Sequence, residues 1–122
     1  MALNLVRNID DRIAVRHVLI SVSDKTGLAT FVPALVGQAP EVIIYSTGGT
    51  HAAIREILGE QLADRHLVSV ADYTGQPEMQ GGLVKTLDFK IYLGLLSETY
   101  NPAHQADLRR TGAVAIDMVV VN

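Results

Sequence analysis

Two short stretches of this chain carry residues suited to gripping an anion. Thr47-Gly48-Gly49-Thr50 follows the apolar run Val42-Ile43-Ile44-Tyr45 and precedes a segment with helical spacing, Ala52 to Leu58. A strand, a glycine turn and a helix in that order leave backbone N–H groups at a helix N-terminus, where a phosphate can accept them. Adjacent glycines let a ligand come close to the backbone, and Thr47 and Thr50 add hydroxyls beside it. Upstream, Ser23-Asp24-Lys25 follows a second apolar run, His17-Val18-Leu19-Ile20. In an open parallel sheet both junctions emerge at the carboxyl rim, where ligands bind, and Lys25 adds a fixed positive charge there. A plainer reading fits the same pattern: Ser23 or Asp24 and Thr50 only cap helices, and Lys25 is solvated. Local pattern leaves the two open.

Further along, Gly81-Gly82 leads into Leu83-Val84-Lys85-Thr86-Leu87-Asp88. A lysine held between apolar neighbours can polarise a carbonyl or stabilise an oxyanion, although the spacing equally suits an ordinary surface lysine. Asp72, Glu78 and Asp88 are candidate acids that also suit solvated or capping roles. His17, His51, His66 and His104 show no metal-ligand spacing, and there is no Walker or dinucleotide fingerprint.

The elements that must position these residues read as alternating strands and helices. Met1 to Val15 has no clean period and is expected to be an N-terminal arm, with the domain running from residue 16 to 122. Strands are expected at His17–Ile20, Val42–Tyr45, Leu67–Val70 and, buried at the end, Asp117–Val121. A helix carrying Leu28, Phe31, Val32, Leu35 and Val36 on one face follows the first strand, with Ser23 or Asp24 as its N-cap and Gly37 at its end. Pro33 inside it predicts a kink or a late start. A second helix buries Ile54, Ile57 and Leu58 and stops near Gly59. Asp72 to Val84 is predicted to be a long loop. A helix capped by Asp88 carries Phe89, Tyr92, Leu93 and Leu96 at helical spacing, and Asn101-Pro102 opens a polar helix ended by Gly112. Such alternation implies a single three-layer α/β domain with a mostly parallel sheet.

Composition narrows the function classes. With 122 residues and 48% hydrophobic side chains the chain is one globular domain. A net charge of -3 argues against a nucleic-acid surface, and zero cysteines exclude disulfides and thiolate chemistry. Charged residues crowd the first dozen positions and no apolar run approaches the ~20 residues of a membrane span, so a cytoplasmic protein without a membrane partner is expected.

Five ordered motifs carry a family resemblance: Ser21 to Gly27, Ser46 to Thr50, Asp72 to Met79, Gly82 to Leu87, and Ile116 to Asn122. From about Arg16 to Asn122 the chain resembles the inosine monophosphate (IMP) cyclohydrolase domain, the N-terminal half of the bifunctional purine-biosynthesis enzyme, which has the methylglyoxal-synthase-like fold. The resemblance implies ring closure of the formylated aminoimidazole-carboxamide ribonucleotide (FAICAR) to IMP with loss of water. It implies Lys85 as the catalytic residue, and Ser23, Asp24, Lys25, Thr47, Gly48, Gly49, Thr50, Thr86 and Asn122 as substrate-binding. It implies a purine nucleotide as the small-molecule partner, no cofactor or metal, a homodimer, and a formyltransferase domain in the full-length parent. The chain departs from the family at Leu83, where arginine is usual, and at Asp88-Phe89, where His-Pro is usual. The family continues past Asn122 with further catalytic residues, so a fragment of a longer enzyme is expected. The alternative is a non-catalytic module of the same fold that binds a nucleotide or another phosphorylated effector. A methylglyoxal-synthase-type lyase ranks third, because Gly81-Gly82 is followed by Leu83 and not by an aspartate.

Overall fold

The computed structural model describes residues 5–7, 9–76 and 88–122. Lys85 and Thr86, and with them Leu83, lie outside the described residues. Among the described residues, four strands form one parallel sheet in the order β3-β2-β1-β4: β1 His17–Ser21, β2 Ile43–Ser46, β3 Leu67–Ser69 and β4 Met118–Val121. All four strands run the same way, so their carboxyl ends share one rim. The register sets Ile20 beside Ser46 and Ser21 beside Val121.

The branched strand residues face both ways, as a sheet covered on two sides requires. Val18, Ile20 and Ile44 join the larger core with Leu28, Val32, Ile54 and Leu58. Leu19 and Tyr45 point to the opposite face, toward Val70 and Ile91. The larger core is covered by α1 Leu28–Gln38 and α2 Gly48–Leu58. The smaller one lies beneath α4 Val70–Thr74 and α5 Phe89–Leu96. The other helices among the described residues are α3 Glu60–His66 and α6 Pro102–Thr111. Among the described residues, no helix is long and apolar enough to cross a membrane.

Several sequence expectations change. The N-cap of α1 is Gly27, with φ 90°, and neither Ser23 nor Asp24 caps it. Helix α1 starts before Pro33 and runs through it to Gln38, past Gly37. Proline at this point deprives only the Ala29 carbonyl of a partner, and both residues are exposed to water. Helix α2 starts at Gly48, not near Ala52, so both glycines lie in its first turn. Gly59 ends α2 and at once begins α3, a helix too short to show a period. The expected loop from Asp72 begins instead inside α4, where the Ser69 hydroxyl accepts the Asp72 N–H at 3.1 Å. β4 is an edge strand and not a buried one, with Val119 and Val121 exposed. The caps at Asp88 and Asn101 fall where the sequence puts them.

Candidate functional site

Three neighbouring strand ends supply the candidate site. β1 delivers the loop Val22 to Gly27, β2 delivers Thr47 and the first turn of α2, and β4 delivers Asn122. Side-chain hydrogen bonds tie the three together. The Thr50 hydroxyl accepts the Val22 N–H at 3.2 Å and donates to the Val22 carbonyl at 3.0 Å. That pair of bonds fastens the β2–α2 junction to the β1–α1 loop. Thr50 therefore caps no helix; its hydroxyl is buried between two backbones.

Lys25 completes the contact. Its ammonium donates to the Val22 carbonyl at 3.2 Å and the Ser23 carbonyl at 3.4 Å. A side-chain carbon added at Gly49 would stand 3.5 Å from Lys25 Cε and 3.6 Å from its Nζ. The lysine thus lies against the N-terminus of an eleven-residue helix. First-turn amides, Gly49 and Thr50 among them, have no carbonyl one turn back, and the helix dipole makes that end positive. Two positive fields pressed together repel each other. An anion between them reverses the sign of both interactions. The glycine at position 49 matters here for close approach: any larger residue would fill the space between lysine and helix.

Asn122 reaches the same loop from the other side. Its Oδ1 accepts the Ser23 N–H at 2.9 Å and the Asp24 N–H at 3.4 Å, and its Nδ2 donates to the Asp24 carbonyl at 2.7 Å. Asp24 turns inward on its own loop, with Oδ1 accepting the Thr26 N–H at 2.9 Å. The Thr26 hydroxyl and amide, together with the Lys25 charge, hold the Asp24 carboxyl below the usual carboxylate range. Its charge therefore shapes the loop and partly balances Lys25.

Of the residues singled out in the sequence, Ser23, Asp24, Lys25, Thr47, Gly48, Gly49, Thr50 and Asn122 all belong to this one rim. Lys85 and Thr86 lie outside the described residues. Sequence reasoning missed Val22, whose carbonyl both Thr50 and Lys25 share; a backbone group leaves no signal in side-chain pattern. It also passed over Ser46 as a site residue, fully buried at the end of β2 with a hydroxyl that has no hydrogen-bond partner among the described residues. Two clefts lie away from the rim. One, of about 300 Å³, runs between Val6, Ile9, Asp10 and Ile13 on one side and Ser97 to Tyr100 on the other; the other, of about 260 Å³, lies at the amino ends of β1 and β4 by Arg16 and Asp117. Neither touches the residues above, and the convergent hydrogen bonds identify the candidate site better than cleft size.

The fold is shared with the crystal structure of ForH, with a TM-score of 0.70 and 25% sequence identity, over 88% of this chain and 50% of that one. Parallel sheet, helix placement and this neighbour define a methylglyoxal-synthase-like α/β domain. No protein-family model matches the chain. Individual relatives do match it: the bifunctional purine biosynthesis protein PurH of Dinoroseobacter shibae is 46% identical over 112 residues, and that of Enterococcus faecalis is 46% identical over 107. The PurH of Lactiplantibacillus plantarum is 45% identical over 107 residues. These alignments cover 92%, 88% and 88% of this chain respectively. Over nearly its whole length the chain is homologous to PurH proteins, consistent with their N-terminal domain. It spans about a fifth of the length of the relatives it matches.

Proposed function

We propose that this chain is the IMP cyclohydrolase domain of a bifunctional purine-biosynthesis enzyme, closing FAICAR to IMP. The observation that carries the reading is Lys25 lying against the α2 N-terminus, a geometry suited to the substrate's phosphate. In the proposed reaction the carboxamide nitrogen attacks the formyl carbon, a C–N bond forms, and the formyl oxygen leaves as water. Negative charge develops on that oxygen, and Lys85 is assigned to stabilise it, with Thr86 beside it. Fixing the phosphate at one end holds the two reacting groups of a single molecule in attack geometry. The reading includes a cytoplasmic setting, a homodimer and a formyltransferase domain in the parent protein.

One observation favours a second reading, a non-catalytic domain binding a phosphorylated ligand. Asp88, which stands where the family usually has histidine, is buried and engaged as the α5 N-cap, its Oδ1 accepting the Lys90 N–H at 2.8 Å. That carboxylate is not placed to replace a base. The test is conversion of FAICAR to IMP by the longest native form of the protein, alongside Lys85→Ala and Lys25→Ala. Ring closure is expected, with Lys85→Ala lowering the rate by about 10²-fold or more and Lys25→Ala acting mainly on KM. Unchanged turnover in Lys85→Ala removes that lysine from the chemistry. Nucleotide binding without ring closure in the native protein selects the second reading.

A further inference from the structure

We propose that the cleft between the stretch before β1 and the turn from α5 to α6 is a second binding site, for a small organic cation with an apolar body: an alkylammonium. It shares no residue with the anion site at the carboxyl rim and does not depend on it. Shape, charge and one unpaired hydroxyl lead to this assignment.

The cleft measures about 300 Å³, at the lower end of the range for small-molecule pockets. One wall is apolar, made by Val6, Ile9 and Ile13. Ile9 is 91% exposed and Ile13 59%, and neither joins a core cluster. Polar bonds hold this stretch in place. The Leu5 and Val6 N–H groups donate to the Glu98 carboxylate at 2.9 and 3.0 Å, and the Tyr100 hydroxyl donates to Asp10 Oδ2 at 2.6 Å. Backbone and carboxylates thus fix the wall while its apolar side chains stay in water. Covering them with the apolar body of a ligand is favourable.

The charge inside the cleft has one sign. Asp10 and Glu98 line it, and among the described residues no lysine, arginine or histidine does. His104 Nδ1 lies 4.0 Å from Glu98 Oε1, but it accepts the Glu98 N–H at 2.9 Å and so presents no proton there. The Asn101 side chain, followed by the Leu5 and Val6 N–H groups, holds the Glu98 carboxyl below its ordinary value, so it stays ionised. The Tyr100 ring lines the same cleft, and an aromatic face attracts a cation.

Ser97 supplies the third observation. Its hydroxyl is buried, lines this cleft and has no hydrogen-bond partner among the described residues. A buried hydroxyl left unpaired is uncommon and calls for a partner. An ammonium brings three donors and no acceptor. One N–H suits the Ser97 oxygen and another the Asp10 carboxylate, while the alkyl chain lies along Val6, Ile9 and Ile13.

The experiment titrates hexylammonium chloride into the longest native form of the protein, with hexan-1-ol and hexanoate as neutral and anionic probes of equal length. Calorimetry reads affinity, and hydrogen exchange reads location. Hexylammonium is expected to saturate one site and to slow exchange at Leu5, Val6 and Ser97 to Tyr100. Hexan-1-ol should bind about tenfold more weakly for want of the charge, and hexanoate should not bind. Asp10→Asn keeps an acceptor for Tyr100 and should weaken hexylammonium about tenfold, and Ser97→Ala about threefold. Phosphate binding at the carboxyl rim should be the same in both variants as in wild type. Equal affinity for hexan-1-ol and hexylammonium overturns the cationic class. Protection spread over the whole surface, or undiminished affinity in Asp10→Asn, overturns the site and leaves only general attraction to a negatively charged chain. No saturation up to about 10 mM hexylammonium overturns it as well. So does self-association that protects the same amides without any probe, because a second copy would then fill the cleft.

Discussion

The two faces of the sheet are held by different means. Against α1 and α2, among the described residues, twelve buried side chains form a single cluster that is aliphatic throughout. Against α4 and α5 the corresponding cluster, among the described residues, includes Leu19, Tyr45, Val70 and Ile91. The described residues of the second face add directional contacts to that apolar packing. The Tyr73 ring lies 4.7 Å from that of Tyr45, and the Tyr73 hydroxyl accepts the Val114 N–H at 2.9 Å. The Lys90 ammonium reaches the Tyr73 carbonyl at 3.3 Å and lies 5.2 Å from the centre of its ring. The Gly94 carbonyl accepts the Ile116 N–H at 3.0 Å. Apolar burial is non-directional and tolerates small shifts, whereas a few polar hooks fail one at a time. Thr50, which locks the rim, sits on α2, against the all-aliphatic cluster. The anion site therefore draws its rigidity from that side.

The comparison can be broken by substitution. Ile44→Ala, in the all-aliphatic cluster and fully buried, should cost about 2–5 kcal/mol in urea unfolding. Ile91→Ala on the opposite face, where polar hooks share the load, is expected near the low end of that range. Equal losses at the two sites would show that the two faces depend alike on apolar burial. Next in size is Gly94→Ala, whose new carbon would lie 2.4 Å from the Val114 carbonyl oxygen. That atom is backbone and cannot rotate away, so α5 must lift, at a cost of about 1–3 kcal/mol. The same change at Gly37, where nothing lies within 4 Å, should leave the unfolding midpoint no lower than wild type.

Smaller effects sharpen the contrast. Tyr73→Phe removes the acceptor for the Val114 N–H and should cost about 1 kcal/mol, with amide exchange rising at Val114 and little change at Val22. Burial, followed by the neighbouring Tyr73, pushes the Tyr45 hydroxyl up to about 12. The folded state thus keeps a proton that the unfolded chain releases near its ordinary value of 10.0. The stability linked to this group is whole below pH 10 and is lost as the pH climbs toward 12. A stability profile across that window should fall more steeply for wild type than for Tyr45→Phe. Parallel profiles would remove Tyr45 as the cause.

How much of this was legible in the sequence depended on whether a feature is local. Asp88 and Asn101 cap helices because an acceptor two or three residues before a free amide can reach it under almost any tertiary fold. The parallel sheet followed from short runs of branched residues separated by helical stretches. The meeting of Lys25 with Gly49 followed from placing both after parallel strands. Other features were set by tertiary contacts. Nothing near Thr50 announces that its hydroxyl bonds a backbone 28 residues earlier, and nothing near Asn122 announces Ser23. Helix α1 takes Gly27 as its N-cap because the loop enters with φ 90°, which glycine adopts readily and Ser23 or Asp24 would not. The apolar spacing of α5 correctly marked a helix, yet Phe89, Tyr92 and Leu96 face outward while Ile91 and Gly94 face the sheet. Periodicity fixes the helix but not its rotation when more than one stripe is apolar.

Gly59 joins α2 to α3 with no residue to spare, at φ 81° and ψ 166°, a conformation essentially confined to glycine. The crossover from β2 to β3 is therefore intolerant of length change. One added residue at that corner would rotate the second helix by about 100° about its own axis, carrying Ala63 toward water and an exposed neighbour into its place. Divergence in this domain should accumulate in surface side chains along the crossover, and insertions should be excluded from its corner.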